Sequence, residues 1–303
     1  FIFSNTTILC EPIGNTRCTL KFIAKSSIKI SQTVLSASSI EFDAINSSFT
    51  MEPDSIINTT AKGHYVGPGY SNGDGASYAG QGGSQLKDSS NDATYGSFSQ
   101  TPNTERDHQA QLGSGGGEQN RRGGGVIIII VDSGTVQGSL FADGSPSITQ
   151  GVKKEFHAGS GGYVYVKANS ASIVFESDSK IHAHGGYGSD DKTSNAGSGG
   201  RIVLENVIIG DSNYAANGGC SNILTTSNYN GAAGTIYFAS SKKLIIKHTD
   251  KCLASKRTIL DSAEIETKEV EEIRVDNKAT ISFSKLRVVK NVLNVVIKNL
   301  YLC

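Results

Sequence analysis

Between residues 1 and 62 apolar and polar positions alternate in short runs: Leu20/Phe22, Ile28/Ile30, Ile40/Phe42 and Phe49/Met51. Each run is ended after a few residues by Ser, Asn or Lys. Period-2 alternation of this kind marks half-buried strands with brief connections, and no stretch sustains a helical period. The pattern returns over 242–302 in Leu244/Ile246, Ile273/Val275, Ile281/Phe283, Leu286/Val288 and Val295/Ile297. The Glu-rich run 263–273 has room for one helical turn, but more strands of the same array are the simpler expectation.

From Gly123 onward the alternation acquires a longer period. A Gly pair followed by an apolar strand occurs as GGGVIIIIV (123–131), GSGGYVYVKA (159–168), GSGGRIVLE (197–205) and, degenerately, GAAGTIYFA (231–239). With Gly125, Gly162, Gly200 and Gly234 taken as equivalent, the steps are 37, 38 and 34 residues. Each unit carries a second landmark, FADG (141–144), IHAHGG (181–186) and YAANGG (214–219), with a further apolar run such as Ile173-Val174-Phe175 between. Three short strands and a Gly-rich turn per unit predict an all-β fold, a right-handed parallel β-helix or solenoid with long Gly-rich loops. Stacked chains approach to about 4.8 Å, so a glycine is expected wherever a Cβ would clash or φ must be positive.

Residues 63–125 interrupt this order with Gly67-Pro68-Gly69, Gly73-Asp74-Gly75, Gly82-Gly83 and two glycine triplets. So long a stretch without strands is unusual inside a domain unless it has a use. Its Tyr70, Tyr78, Tyr95 and Phe98 are candidates to pin it to a neighbouring surface. The expected layout is one continuous solenoid: N-terminal coils over 1–62, a Gly-rich insertion over 63–125, Gly-rich repeats over 126–241 and C-terminal coils over 242–303.

The succession Ile57 to Ala61, Gly75-Ala76-Ser77, Tyr95-Gly96-Ser97, Gly123-Gly124-Gly125-Val126-Ile127, Ala142-Asp143-Gly144, the two Gly-Ser-Gly-Gly motifs, Arg201-Ile202 and Gly231-Ala232-Ala233-Gly234-Thr235 resembles a family. Its members are large glycine-rich extracellular or cell-surface proteins of plants, ciliates and other protists. The resemblance spans roughly residues 5–290 and includes the Cys10/Cys18 pair. It implies a secreted or cell-surface protein and brings no catalytic activity with it.

Charge narrows the partners. The 28 basic and 28 acidic residues cancel, which argues against a nucleic-acid partner, since that relies on a basic surface. The longest apolar run, Val126 to Val131, is far too short for a membrane span. Cys10 and Cys18 flank a segment with Pro12 and Gly14, a natural disulfide-closed loop. Cys220 and Cys252 are the second candidate pair, leaving Cys303 for an intermolecular bond; the alternative is buried free thiols. Sequons at Asn5, Asn46 and Asn58 fit N-glycosylation of a secreted chain.

Asp143, His184 and Asn217 occupy the same place in successive repeats and would stack in a column. Asp, Asn and His tolerate left-handed backbone, so a turn ladder is expected, against a metal site or polysaccharide groove. His182 and His184 form a metal-like pair without a third ligand nearby. Asp74 and the Asp190-Asp191 pair lack the regular spacing of calcium-binding β-rolls. A phosphate cradle at the GSGG motifs is disfavoured because a strand, not a helix, follows. No metal, cofactor or catalytic residue is assigned. The expected function is an extracellular structural protein that stacks on itself into fibres or a surface matrix. The alternatives are a carbohydrate-binding adhesin using the Tyr-bearing loops, and a polysaccharide lyase or hydrolase by fold analogy.

Overall fold

A computed structural model describes residues 1–13, 16–70, 75–83, 94–95, 111–116, 121–147, 157–188, 195–220, 229–248, 256–277, 279–283 and 294–297. Among the described residues, regular secondary structure is nearly all strand. The first passes of the chain lay down β1 (Ile2–Ser4), β2 (Thr7–Leu9), β3 (Thr19–Ile23), β4 (Ile28–Ser31), β5 (Val34–Ser36), β6 (Ser39–Met51) and β7 (Ile56–Asn58). Later passes add β8 (Val126–Val136), β9 (Ser139–Phe141), β10 (Tyr163–Ala168), β11 (Ile173–Phe175), β12 (Lys180–His182), β13 (Arg201–Glu205), β14 (Val207–Ile208), β15 (Tyr214–Ala215) and β16 (Thr235–Phe238).

Two parallel sheets result. A narrow sheet runs in the order β15-β12-β9-β7-β5-β2, and a large sheet holds β1-β4-β6-β8-β10-β13-β16 along its main path. Register follows the repeat. Tyr163 pairs with Val126 and with Arg201, and Arg201 pairs with Thr235, which are the residues immediately after the equivalent glycines. β6 pairs directly with β8, Ser39 opposite Val126, although residues 59–125 lie between β7 and β8 in sequence.

Alternation sends Ile40, Phe42, Ile127, Ile129, Val164, Val166, Ile202 and Ile236 between the two sheets, against Leu35, Ile57, Leu140 and Ile181. The other face of the large sheet is covered too. Val126, Ile128, Tyr163, Tyr165 and Val203 pack there with Leu112 and with the C-terminal segments. Burial on both faces is why Val126 to Val131 reads as an unbroken apolar run.

The C-terminal part differs from the expected continuation. β17 (Lys243–Lys247) pairs with β16 antiparallel, through a turn in which Lys242 takes φ 50°. The large sheet then extends by β19 (Glu272–Asp276) and β21 (Asn294–Ile297), parallel to β17. β18 (Arg257–Leu260) and β20 (Thr280–Phe283) form a separate two-stranded sheet. A short helix, α1 (Ser262–Thr267), is capped by Asp261, whose carboxylate accepts the Ala263 N–H. Leu260, Ile265 and Val270 seal the outer face of the large sheet. Among the described residues from 242 onward, the chain reverses direction, extends the large sheet, packs against its outer face and adds no strand to the narrow sheet.

The 63–125 stretch is also packed where it is described. Tyr78 is fully buried, its hydroxyl donates to Gln111 Oε1 at 2.5 Å, and the Arg201 guanidinium lies 5.1 Å from its ring centre. Tyr95 donates to the Leu112 carbonyl at 2.5 Å. The expected contact surface of tyrosines is thus turned inward at these two positions. Phe98, Asp74, Asp190 and Asp191 lie outside the described residues.

Candidate functional site

The glycine motifs fold into extended segments with a three-residue period. In segment 158–162 the N–H groups of Ala158 and Gly161 donate to Asn195 O and Ser198 O. Those of Gly159 and Gly162 donate to Ser145 O and Ala142 O, and that of Ser160 to Ser114 O. Segment 196–200 repeats the scheme: Ala196 and Gly199 bond Tyr229 and Ala232, Gly197 and Gly200 bond Gly186 and Ala183, and Ser198 bonds Ala76. Every third residue meets the same neighbour. That is the geometry of a polyproline II-type helix, which makes no internal hydrogen bonds and offers its N–H groups outward in three directions.

The glycines serve sterics here. None takes a positive φ, and an added Cβ at Gly161 would lie 2.5 Å from the Gly200 nitrogen and closer still to the Ala183 oxygen. The expected alternative, glycine for left-handed turns, does not apply to these segments.

Beside this bundle the narrow sheet ends in a ladder of side-chain acceptors. Thr60 Oγ1 accepts the Asp143 N–H at 3.3 Å, Asp143 Oδ1 accepts the His184 N–H at 2.6 Å, and His184 Nδ1 accepts the Asn217 N–H at 3.1 Å. Return bonds run from Ala61, Gly144 and Gly185 N–H to the carbonyls of Asp143, His184 and Asn217. Asp143, His184 and Asn217 are absent from the positive-φ residues. The column exists because each position needs an acceptor for the next pass, which Thr, Asp and His all supply. Thr60 is missed from sequence because Ala61, not glycine, follows it. A second bond of this type joins His157 Nδ1 to the Asn195 N–H at 3.4 Å.

On the outer face of the narrow sheet Phe141 and His182 stand in register. Their ring centres are 5.3 Å apart, and His182 lies 4.5 Å from the His184 ring. Burial, and then the neighbouring His184, push His182 down to about 4; burial, and then His248, do the same to His184. Burial raises Asp143, opposed by the bond from the His184 N–H. Among the described residues no group of three or more His, Cys, Asp or Glu is placed to hold a metal.

A native pKa lowered from 6.5 to about 4 means that the unfolded chain binds the proton first. His184 therefore contributes stability that is present above pH 6.5 and lost as pH falls towards 4. The depression corresponds to about 3 kcal/mol at most. Asp143 works in the opposite sense, losing its contribution as pH rises through its elevated pKa. Urea titrations at a series of pH values are expected to show His184→Asn with a flatter acid limb than the parent. An unchanged limb would show that the imidazole does not carry the acid sensitivity.

Cys10 and Cys18 are disulfide-bonded, with Cα atoms 5.7 Å apart. Cys220 is disulfide-bonded as well, while Cys252 and Cys303 lie outside the described residues. Asn5 and Asn46 are exposed, with φ 49° and 61°; Asn46 sits on the bulge where β6 shifts register. Asn58 is half-buried and its side-chain oxygen accepts the Thr60 N–H at 2.9 Å. No described helix is long and apolar enough to cross a membrane. Comparison with known proteins finds no matching family model, no similar curated protein and no similar solved structure.

Proposed function

We propose that the chain is a right-handed parallel β-solenoid whose role is structural, an extracellular rod that associates end to end into fibres or a surface matrix. The observation that carries this reading is the pair of terminal strands in the narrow sheet, each with a strand partner on one side only among the described residues. The narrow sheet ends at β2 on one side and β15 on the other, and unpaired edges are templates for strand addition. Among the described residues, five of the eight exposed large apolar side chains, Phe1, Ile2, Leu9, Ile13 and Ile23, lie in the first 23 residues. Apolar surface concentrated at one end favours an interface there. The disulfides at Cys10–Cys18 and Cys220 support an oxidising, extracellular setting.

A polysaccharide lyase or hydrolase would gather several carboxylates on adjacent passes. The ladder brings Asp143 alone among Thr60, His184 and Asn217, so the structural role is favoured over catalysis. Light scattering behind size exclusion, with negative-stain imaging, tests the association. Concentration-dependent linear oligomers are expected for the parent chain, and monomers for Leu9→Lys combined with Ile23→Lys. A parent that stays monomeric at its solubility limit would sink the end-to-end reading.

A further inference from the structure

The outer face of the narrow sheet carries a tile that a rod and its ends do not use. Phe141 and Asp143 lie on one pass, His182 and His184 on the next, paired in register through β9 and β12. All four are partly exposed, and the rings of Phe141, His182 and His184 form a continuous path with centre separations of 5.3 and 4.5 Å. On the following pass the residue in register with His182 is the small Ala215. The tile is two passes tall and three residues wide, about 5 by 7 Å between outermost positions, the scale of a single sugar ring.

Its polar groups are held in defined states. Because His184 Nδ1 accepts the Asn217 N–H, the ring proton belongs on Nε2, which makes that atom a donor. Asp143 engages the ladder through Oδ1, leaving Oδ2 as the acceptor outside it. The imidazoles, lowered to about 4, are neutral near pH 7, and burial disfavours charge on Asp143. Apolar ring faces bordered by uncharged donors and one carboxyl acceptor match a molecule with a C–H face and a hydroxyl rim. An anionic ligand would find no cationic group among these four side chains, and no group of three or more His, Cys, Asp or Glu among the described residues is placed to hold a metal ion.

We propose that Phe141, Asp143, His182 and His184 form a binding surface for a neutral glycan, stacking one sugar ring on Phe141 and His182 while Asp143 and His184 meet its hydroxyls. This places carbohydrate recognition on the narrow sheet and not on the tyrosine-bearing loops, whose Tyr78 is buried. It is independent of end-to-end association, and the test separates the two.

Histidine-labelled protein is titrated with cellohexaose, mannohexaose and xylohexaose, with trigalacturonate as the charged comparison, and the imidazole resonances are followed by NMR. Saturable shifts of His182 and His184 are expected with at least one neutral glycan, and at least tenfold weaker binding to trigalacturonate. Phe141→Ala and His182→Gln, each confirmed as folded by circular dichroism, are each expected to weaken binding at least tenfold. Leu9→Lys with Ile23→Lys should bind as the parent does even where association is lost. No saturable shift with any neutral glycan, or parental affinity in both folded tile variants, would overturn the proposal.

Discussion

Gly161→Ala is expected to destabilise the protein by about 3 kcal/mol or more, at or beyond the upper end of ordinary overpacking penalties. The added methyl would meet the Ala183 carbonyl and the Gly200 nitrogen, both backbone atoms of neighbouring segments. Side chains can rotate away from a clash, whereas these atoms are fixed by Gly200 N–H bonding Ala183 O and by Gly161 N–H bonding Ser198 O. Relief requires the segments to part, which costs hydrogen bonds on more than one side. Gly210→Ala is the control. Its nearest non-adjacent atom to an added Cβ is Asn213 Oδ1 at 3.4 Å, so a change within about 0.5 kcal/mol is expected. Urea denaturation of both variants checks the contrast. Equal, small effects would mean that the bundle is not tightly packed.

Phe42→Ala is expected to cost about 3–5 kcal/mol, the range for deleting a buried aromatic ring from a core. Phe42 is fully buried and lies between Phe22, at 5.1 Å, and Phe49, at 5.4 Å between ring centres. Phe22 on β3 and Ile129 on β8 flank it in parallel register, and Phe49 lies further along β6 itself, so the space left behind cannot close without shifting whole strands. Ile208→Ala removes a side chain that is 58% exposed on β14 and should change stability little. Thermal and urea unfolding of the two variants measures the difference. A loss below about 1 kcal/mol for Phe42→Ala would show that the first passes contribute little to the cooperative core.

Much of the strand order was legible because spacing and register are the same quantity in a parallel stack. The steps of 37, 38 and 34 residues between glycines reappear as the pairings of Val126, Tyr163, Arg201 and Thr235. Asp143, His184 and Asn217 were found in the same way, since their landmarks keep a fixed distance from the inward-facing Leu140, Ile181 and Tyr214. The reason for the column was not legible. A side chain accepting from a backbone N–H on another pass is a long-range contact, and local propensity points instead to a left-handed turn.

Glycine segments hide their geometry for a simpler reason. Without side chains there is no pattern of inward and outward positions, so a threefold extended segment and a loose turn read alike. The reversal after β16 was equally silent. Leu244/Ile246 alternates as any strand does, and the antiparallel partner is decided by the turn at Lys242. Tyr78 was a candidate to pin its glycine-rich stretch to a neighbouring surface, but what it would meet there was not legible. Only the proximity of Arg201 and Gln111, 123 and 33 residues away in sequence, reveals it as interior.

Successive N–H groups of each glycine segment point to different neighbours, and this has a mechanical consequence. A β-sheet edge can be peeled, because its hydrogen bonds lie in one row and fail one after another. In the glycine bundle, the bonds of segment 158–162 reach segments on several sides at once. A pull on that segment from any side loads bonds in different directions together, so no single seam is available along which a tear can run. The strand stack supplies length and register; the glycine bundle gives the same protein a flank that resists being unzipped.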